Sequence, residues 1–281
     1  MIKFFSIIIL ISPFFYCQSD SFDFFSSQNI KKFADHLYCE GDYLRAVEQY
    51  QSIQQLVNDD TTDYKIIYAY SLTGYLQKSN ELFKSISTES DLYPAAHLLS
   101  LKNQLLLNRK SILTESGVSD DSVYLRNLNK LRIISMLYDE EMTYSHERFT
   151  YTFDEDEKIP VSKLYDEKFN PPNKDAIAAG VLSAIIPGSG KMYVGEWGDG
   201  IAALITTGLL AFLAVDNFEA GHDTRAWIFT ALGGFFYIGN IYGSVAAAQI
   251  FNARIDFEFN AALNLFLEEK NYFVPVYDFC N

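Results

Sequence analysis

The chain's 281 residues are 49% hydrophobic and 16% aromatic, too apolar for a disordered polymer and long enough for two modest domains. A formal net charge of −14 argues against nucleic acid or an anionic lipid surface as partner, since either needs clustered Lys and Arg to displace counterions.

Taken from the start, Met1-Ile-Lys-Phe-Phe places one positive charge before a short apolar run, followed by Pro13 and Phe14-Phe-Tyr-Cys-Gln-Ser19. Residues 1–19 have the layout of a secretory signal, with Cys17 and Ser19 as the small residues before the cut. Two other readings stay open. Lipidation at Cys17 conflicts with bulky Phe14, Phe15 and Tyr16 where a lipobox resembles Leu-Ala-Gly, and an uncleaved anchor needs a longer apolar run. Export leaves only Cys39 and Cys280. So distant a pair defines no metal-ligand spacing and no disulfide framework. Cys39 reads as a small buried residue and Cys280 as a loose terminal thiol, with an oxidised pair as the alternative outside the cytoplasm.

Residues 20–150 read as an all-helical domain. Phe33 and Leu37 lead into Gly41, and Ala46 and Tyr50 resume at helical spacing beyond it. The offsets recur around Gly74, with Ile66 and Tyr70 before it and Ser79 and Phe83 after it, at a period of 33 residues. Two helices approach closely only over Gly, Ala or Ser, while large residues fill the space between pairs. This pattern resembles the tetratricopeptide repeat. The resemblance implies an all-α solenoid with a concave groove for peptides or partner proteins, and it makes Asp35 and Lys65, on the first helix of each unit, exposed groove residues. Ser79 departs from the small Ala of the first unit, and Ile67 stands where that unit has Ala34. Two units are too few to be stable alone, so Pro94–Leu101 and Ser122–Leu137 must complete the stack although they lack the Gly and Ala landmarks. A domain that only spaces other parts is the plainer alternative.

Residues 151–175 concentrate charge and proline in Asp154-Glu-Asp-Glu157, Pro160 and Pro171-Pro-Asn-Lys174, which predicts an exposed, solvated linker. The acidic run lacks the spacing of a calcium loop.

Residues 176–252 read as a membrane module of two or three helices. At about 1.5 Å per residue, Ala226–Phe251 reaches about 39 Å, Gly200–Val215 about 24 Å and Ala176–Ile186 about 17 Å, against a hydrocarbon core of about 30 Å. A buried soluble hairpin is the alternative. Gly239, Gly243 and Ala247 recur on one side of the last helix, and such small faces bring backbones together inside the module or across a homo-oligomer. Tyr193, Trp197 and Trp227 lie near segment ends, where interfacial rings belong. The turn Pro187-Gly188-x-Gly190-x-x-Tyr193-x-Gly195, with Gly200 opening the next helix, resembles that of small bacterial membrane modules of unknown function, many of which carry Gln at the position of Lys191. Gly188-Ser-Gly-Lys191 is not a phosphate-binding loop: Ile185 stands at its first Gly position and Met192 where Ser or Thr must hold magnesium. No nucleotide or other cofactor is expected.

Four His residues lie far apart with no metal-ligand spacing, and no nucleophile elbow occurs. The leading expectation is therefore a non-enzymatic scaffold that is anchored in the membrane and binds other envelope proteins through the repeat surface. It would sit in a bacterial inner membrane with the N-terminal domain extracytoplasmic. The alternative is an envelope enzyme or small-solute transporter with a site between the membrane helices, although the apolar segments lack charged coupling residues. For residues 253–281, packing on the repeats, lying on the membrane and fraying all remain open.

Overall fold

The structure, a computed structural model, describes residues 25–56, 59–110, 122–139 and 144–280. The signal reading over residues 1–19, Cys17 included, lies outside them. Among the described residues the fold is all-α, with no strand. Helices α1 (Ser27–Cys39), α2 (Tyr43–Ile53), α3 (Asp60–Leu72) and α4 (Leu76–Leu82) form two antiparallel hairpins. Then come α5 (Tyr93–Asn108), α6 (Ser122–Ser135), the short α7 (His146–Thr150) and α8 (Glu155–Phe169). The apolar half holds α9 (Ala176–Ile185), α10 (Ser189–Tyr193), α11 (Trp197–Glu219) and α12 (Asp223–Glu269).

Helix starts are set by local chemistry. Ser26 accepts from the Asn29 amide, Asp59 from Thr61, and Asp175 from both Ile177 and Ala178, each side chain satisfying donors that the first turn leaves orphaned. The two hairpin turns are alike. Asp42 N–H donates to Leu37 O and Gly41 N–H to Tyr38 O, while Tyr75 N–H donates to Tyr70 O and Gly74 N–H to Ser71 O. Both glycines hold a left-handed backbone, φ 79° and 81°, which a side chain would strain. Directly after each turn, fully buried Ala46 and Ser79 sit at corresponding positions in the second helix.

The expected linker is not one. Residues 155–169 form α8, which buries Val161 and Leu164 in the main core alongside Leu98, Leu131 and Phe149. The acidic run is a helix start: the Asp154 side chain accepts from the Glu157 amide and the Glu157 carboxylate from that of Asp154, a capping box, and Glu155 and Asp156 favour the positive end of the helix dipole. Pro160 lies within the helix without ending it.

The boundary expected at residue 252 is absent as well. α12 runs unbroken through its 47 residues, about 70 Å at 1.5 Å per residue. Its first half lies along α11 and α9; its last turns place Phe259, Leu263, Phe266 and Leu267 in the core made by α5, α6 and α8. Beyond it, Phe273 and Val274 are buried in the same core. Of the three fates open to residues 253–281, packing on the helical domain is the one found.

α11 and α12 are each long and apolar enough to cross a membrane, and α9 is a shorter apolar helix beside them. Their apolar side chains point outward: Phe212, Phe235 and Ile238 are 64%, 75% and 68% exposed. Apolar faces exposed on this scale need a cover, either a bilayer or another protein surface.

Candidate functional site

The face of the first hairpins that was expected to be an open groove is covered by the chain's own C-terminal segment. Lys65 and Asp35, expected to be exposed, form an ion pair at 2.6 Å in which the lysine side chain is 6% exposed. Tyr50 donates to the same Asp35 oxygen at 2.6 Å. Around the ammonium stand the rings of Phe279, Tyr38 and Tyr50 at 5.2, 5.6 and 5.9 Å, an aromatic cage that satisfies a desolvated cation. Phe279 comes from the C-terminal segment, and its ring also packs on Tyr64 and Tyr277. Burial, with the charge of Asp35 beside it, pushes the Tyr50 hydroxyl well above the usual tyrosine range.

Cys280 is bonded to Cys39 at the end of α1, with Cα atoms 5.6 Å apart. This corrects the expectation of an inert helix cysteine and a loose terminal thiol. The two sulfurs are 241 positions apart, and only the return of α12 to the domain brings them together. No sequence spacing carries that information.

The other predicted packing residues divide. Leu37, Ala46, Tyr50 and Tyr70 share one buried cluster, and Ser79 is buried against the Ile67 carbonyl, to which its hydroxyl donates at 2.8 Å. Phe83 packs partly buried on the main core. Phe33 is 49% exposed and stays out of the buried cluster. Missed altogether was Lys130, buried on α6 with Glu157 at 2.6 Å and Asp154 at 2.8 Å. Its hydrogen bond holds the Asp154 carboxyl below the ordinary range.

In the apolar half, the glycine turn folds α10 back against α9. A Cβ on Gly188, whose φ is 88°, would overlap the Gly200 carbonyl, and one on Gly190 would overlap that of Ala179. These glycines mark close backbone approach. A relay of polar groups crosses the same spot: Gly190 N–H donates to Ser183 Oγ (2.9 Å), Ser183 to Ser244 Oγ (2.7 Å), and Ser244 to Asn240 O (2.9 Å). Pro187 precedes this turn and Gly195 closes α10 with φ 94°. The Tyr193 hydroxyl accepts from the Asp175 amide at 3.3 Å, and its ring lies 4.9 Å from the Lys174 ammonium. Lys174 and Asn252 exchange two hydrogen bonds, clamping the start of α9 to α12.

The small face of α12 is put to two uses. Ala247 packs with Ala179, Val194 and Ala248. A Cβ added at Gly239 would meet nothing within 4 Å, and one at Gly243 would meet the Lys191 side chain at 3.5 Å. Between α11 and α12 at this level lies a cavity of about 370 Å³ lined by Lys191, Asp199, Gly239 and Asn240. No group of His, Cys, Asp and Glu among the described residues is arranged to hold a metal. No family model, curated protein or solved structure matches the chain.

Proposed function

We propose that the protein is a membrane-anchored scaffold of the cell envelope, in which a tetratricopeptide-like helical domain engages other envelope proteins. The observation that carries this reading is α12: one helix is apolar and outward-facing in its first half and part of the domain's core in its last turns. A domain so joined is held at a fixed height and angle above the bilayer. With α11 and α12 as two spans, the Gly221 turn lies on one side and the whole helical domain, with its C-terminal segment, on the other. The Cys39–Cys280 bond favours an oxidising, extracytoplasmic side for that domain.

The groove around Lys65 grips an extended, aromatic chain, and residues 277–280 are its resident occupant. A partner segment of the same chemistry takes the groove when that occupant leaves. Photo-crosslinkers at exposed Phe33 and Leu44, introduced into cells in the intact chain and in a Cys280→Ser variant, test the reading. Specific protein adducts that increase in the variant are expected. Absence of adducts in both, together with turnover of a small molecule by the purified protein, would replace the scaffold with the envelope-enzyme reading.

A further inference from the structure

Asn240 is only 6% exposed, yet neither its amide nitrogen nor its oxygen has a partner among the described residues. A buried amide with two donors and an acceptor left unmade is costly unless something fills the space beside it. Asn240 lines the cavity of about 370 Å³ between α11 and α12, with its two amide atoms enclosed at the wall. Lys191 and Asp199 stand at it 3.9 Å apart, too far for a tight ion pair, so each charge keeps capacity for another group. Phe235 and Phe236 line it on the apolar side, and Gly239 leaves a side-chain-free stretch of wall; the Lys191 stem passes beside Gly243, where an added Cβ would meet it at 3.5 Å.

We propose that this cavity holds the headgroup of one phospholipid that bears both a phosphate and a primary ammonium, with an acyl chain running past Phe235 and Phe236. The assignment rests on reading α11 and α12 as membrane spans. Trp197 starts α11 two residues before Asp199 and is 63% exposed, which sets this level at the headgroup boundary. The phosphate accepts from Lys191 and from the Asn240 amide nitrogen. The ammonium donates to Asp199 and to the Asn240 oxygen. A choline headgroup has no N–H to give either acceptor, and a purely anionic headgroup sets uncompensated negative charge against Asp199.

The test uses the full chain in mild detergent, offered phosphatidylethanolamine, phosphatidylcholine or phosphatidylglycerol in mixed micelles at equal mole fraction, with retained lipid counted by native mass spectrometry. One phosphatidylethanolamine per chain is expected, at least tenfold over the other two. Asn240→Leu and Lys191→Met should each cut retention at least tenfold, while Phe229→Ala, in the neighbouring apolar groove, should leave it unchanged. Equal retention of the three lipids, no retention, or full retention by correctly helical Asn240→Leu protein would overturn the proposal. So would equal occupancy by water-soluble glycerophosphoethanolamine, which makes the site one for a free solute. Should a variant fail to fold, the selectivity of the unaltered chain decides alone. Alkaline carbonate extraction, run in parallel, reports separately on the spans: protein released to the supernatant sinks that reading whatever the lipid result.

Discussion

Ala46 and Ser79 have no exposed surface, and each lies where a second helix crosses the first. A larger side chain has nowhere to go. Ala46→Leu should cost about 1–3 kcal/mol through overpacking, read as a lowered denaturation midpoint with unchanged slope; an unchanged midpoint would mean the hairpin contact is looser than described. Lys102 carries a different strain. Buried on α5, its ammonium is pushed below the ordinary lysine range by desolvation, against a smaller opposing pull from Glu268. Because the folded pKa lies below the unfolded one, the penalty is complete below the folded pKa and disappears as pH rises through it to that of an unfolded lysine. Lys102→Met should therefore stabilise the domain by about 1–2 kcal/mol near neutrality, with the gain shrinking as the medium becomes alkaline. Chemical denaturation at a series of pH values checks it, and a gain that grows with pH would contradict the sign.

At the level of elements, α8 shows how a correct observation can mislead. An acidic run followed by proline has the composition of a linker, but Asp154 and Glu157 are spaced as a capping box and Val161 and Leu164 follow at helical spacing. The same four acidic residues serve as cap, first-turn charge and partners of buried Lys130. Asp154→Ala removes the cap and one partner of that lysine together, and a loss of about 1–3 kcal/mol is expected; a loss within a few tenths would assign α8 a marginal role. The C-terminal strap makes a second test. Cys280→Ser leaves Phe273 and Val274 in the core and frees only the end that carries Phe279. Amides along α1 and α3 facing the groove should exchange hydrogen faster in the variant, while those of α5 and α6 remain protected. Uniform protection would mean that the aromatic cage holds the strap without the tether.

Across the whole molecule, what could be read from the chain was what is local. Helical periodicity, the two glycine turns 33 residues apart and the three apolar segments are all patterns within a window of one or two helices, and all-α structure follows from them. The covering of the first hairpins by the C-terminal segment was not legible. Asp35 and Lys65 look like solvated charges on a helix face until Phe279 arrives from the far end of the chain. Cys39 and Cys280 meet for the same reason, since only the full length of α12 carries the C-terminus back to α1. The cavity at Asn240 was half visible: the small residues at 239 and 243 stood out, but whether a small face packs or stays open depends on the neighbour it meets.

The central claim is that α12 crosses a bilayer and re-enters the helical domain as one rod, which puts His222 and Lys270 on opposite sides. Single cysteines at these two positions, in a Cys17→Ser, Cys39→Ser, Cys280→Ser background in intact cells, can be labelled with a membrane-impermeant maleimide. The account predicts labelling at position 270 and protection at position 222 until the membrane is opened. Labelling of both in intact cells, or protection of 270 with labelling of 222, would contradict it.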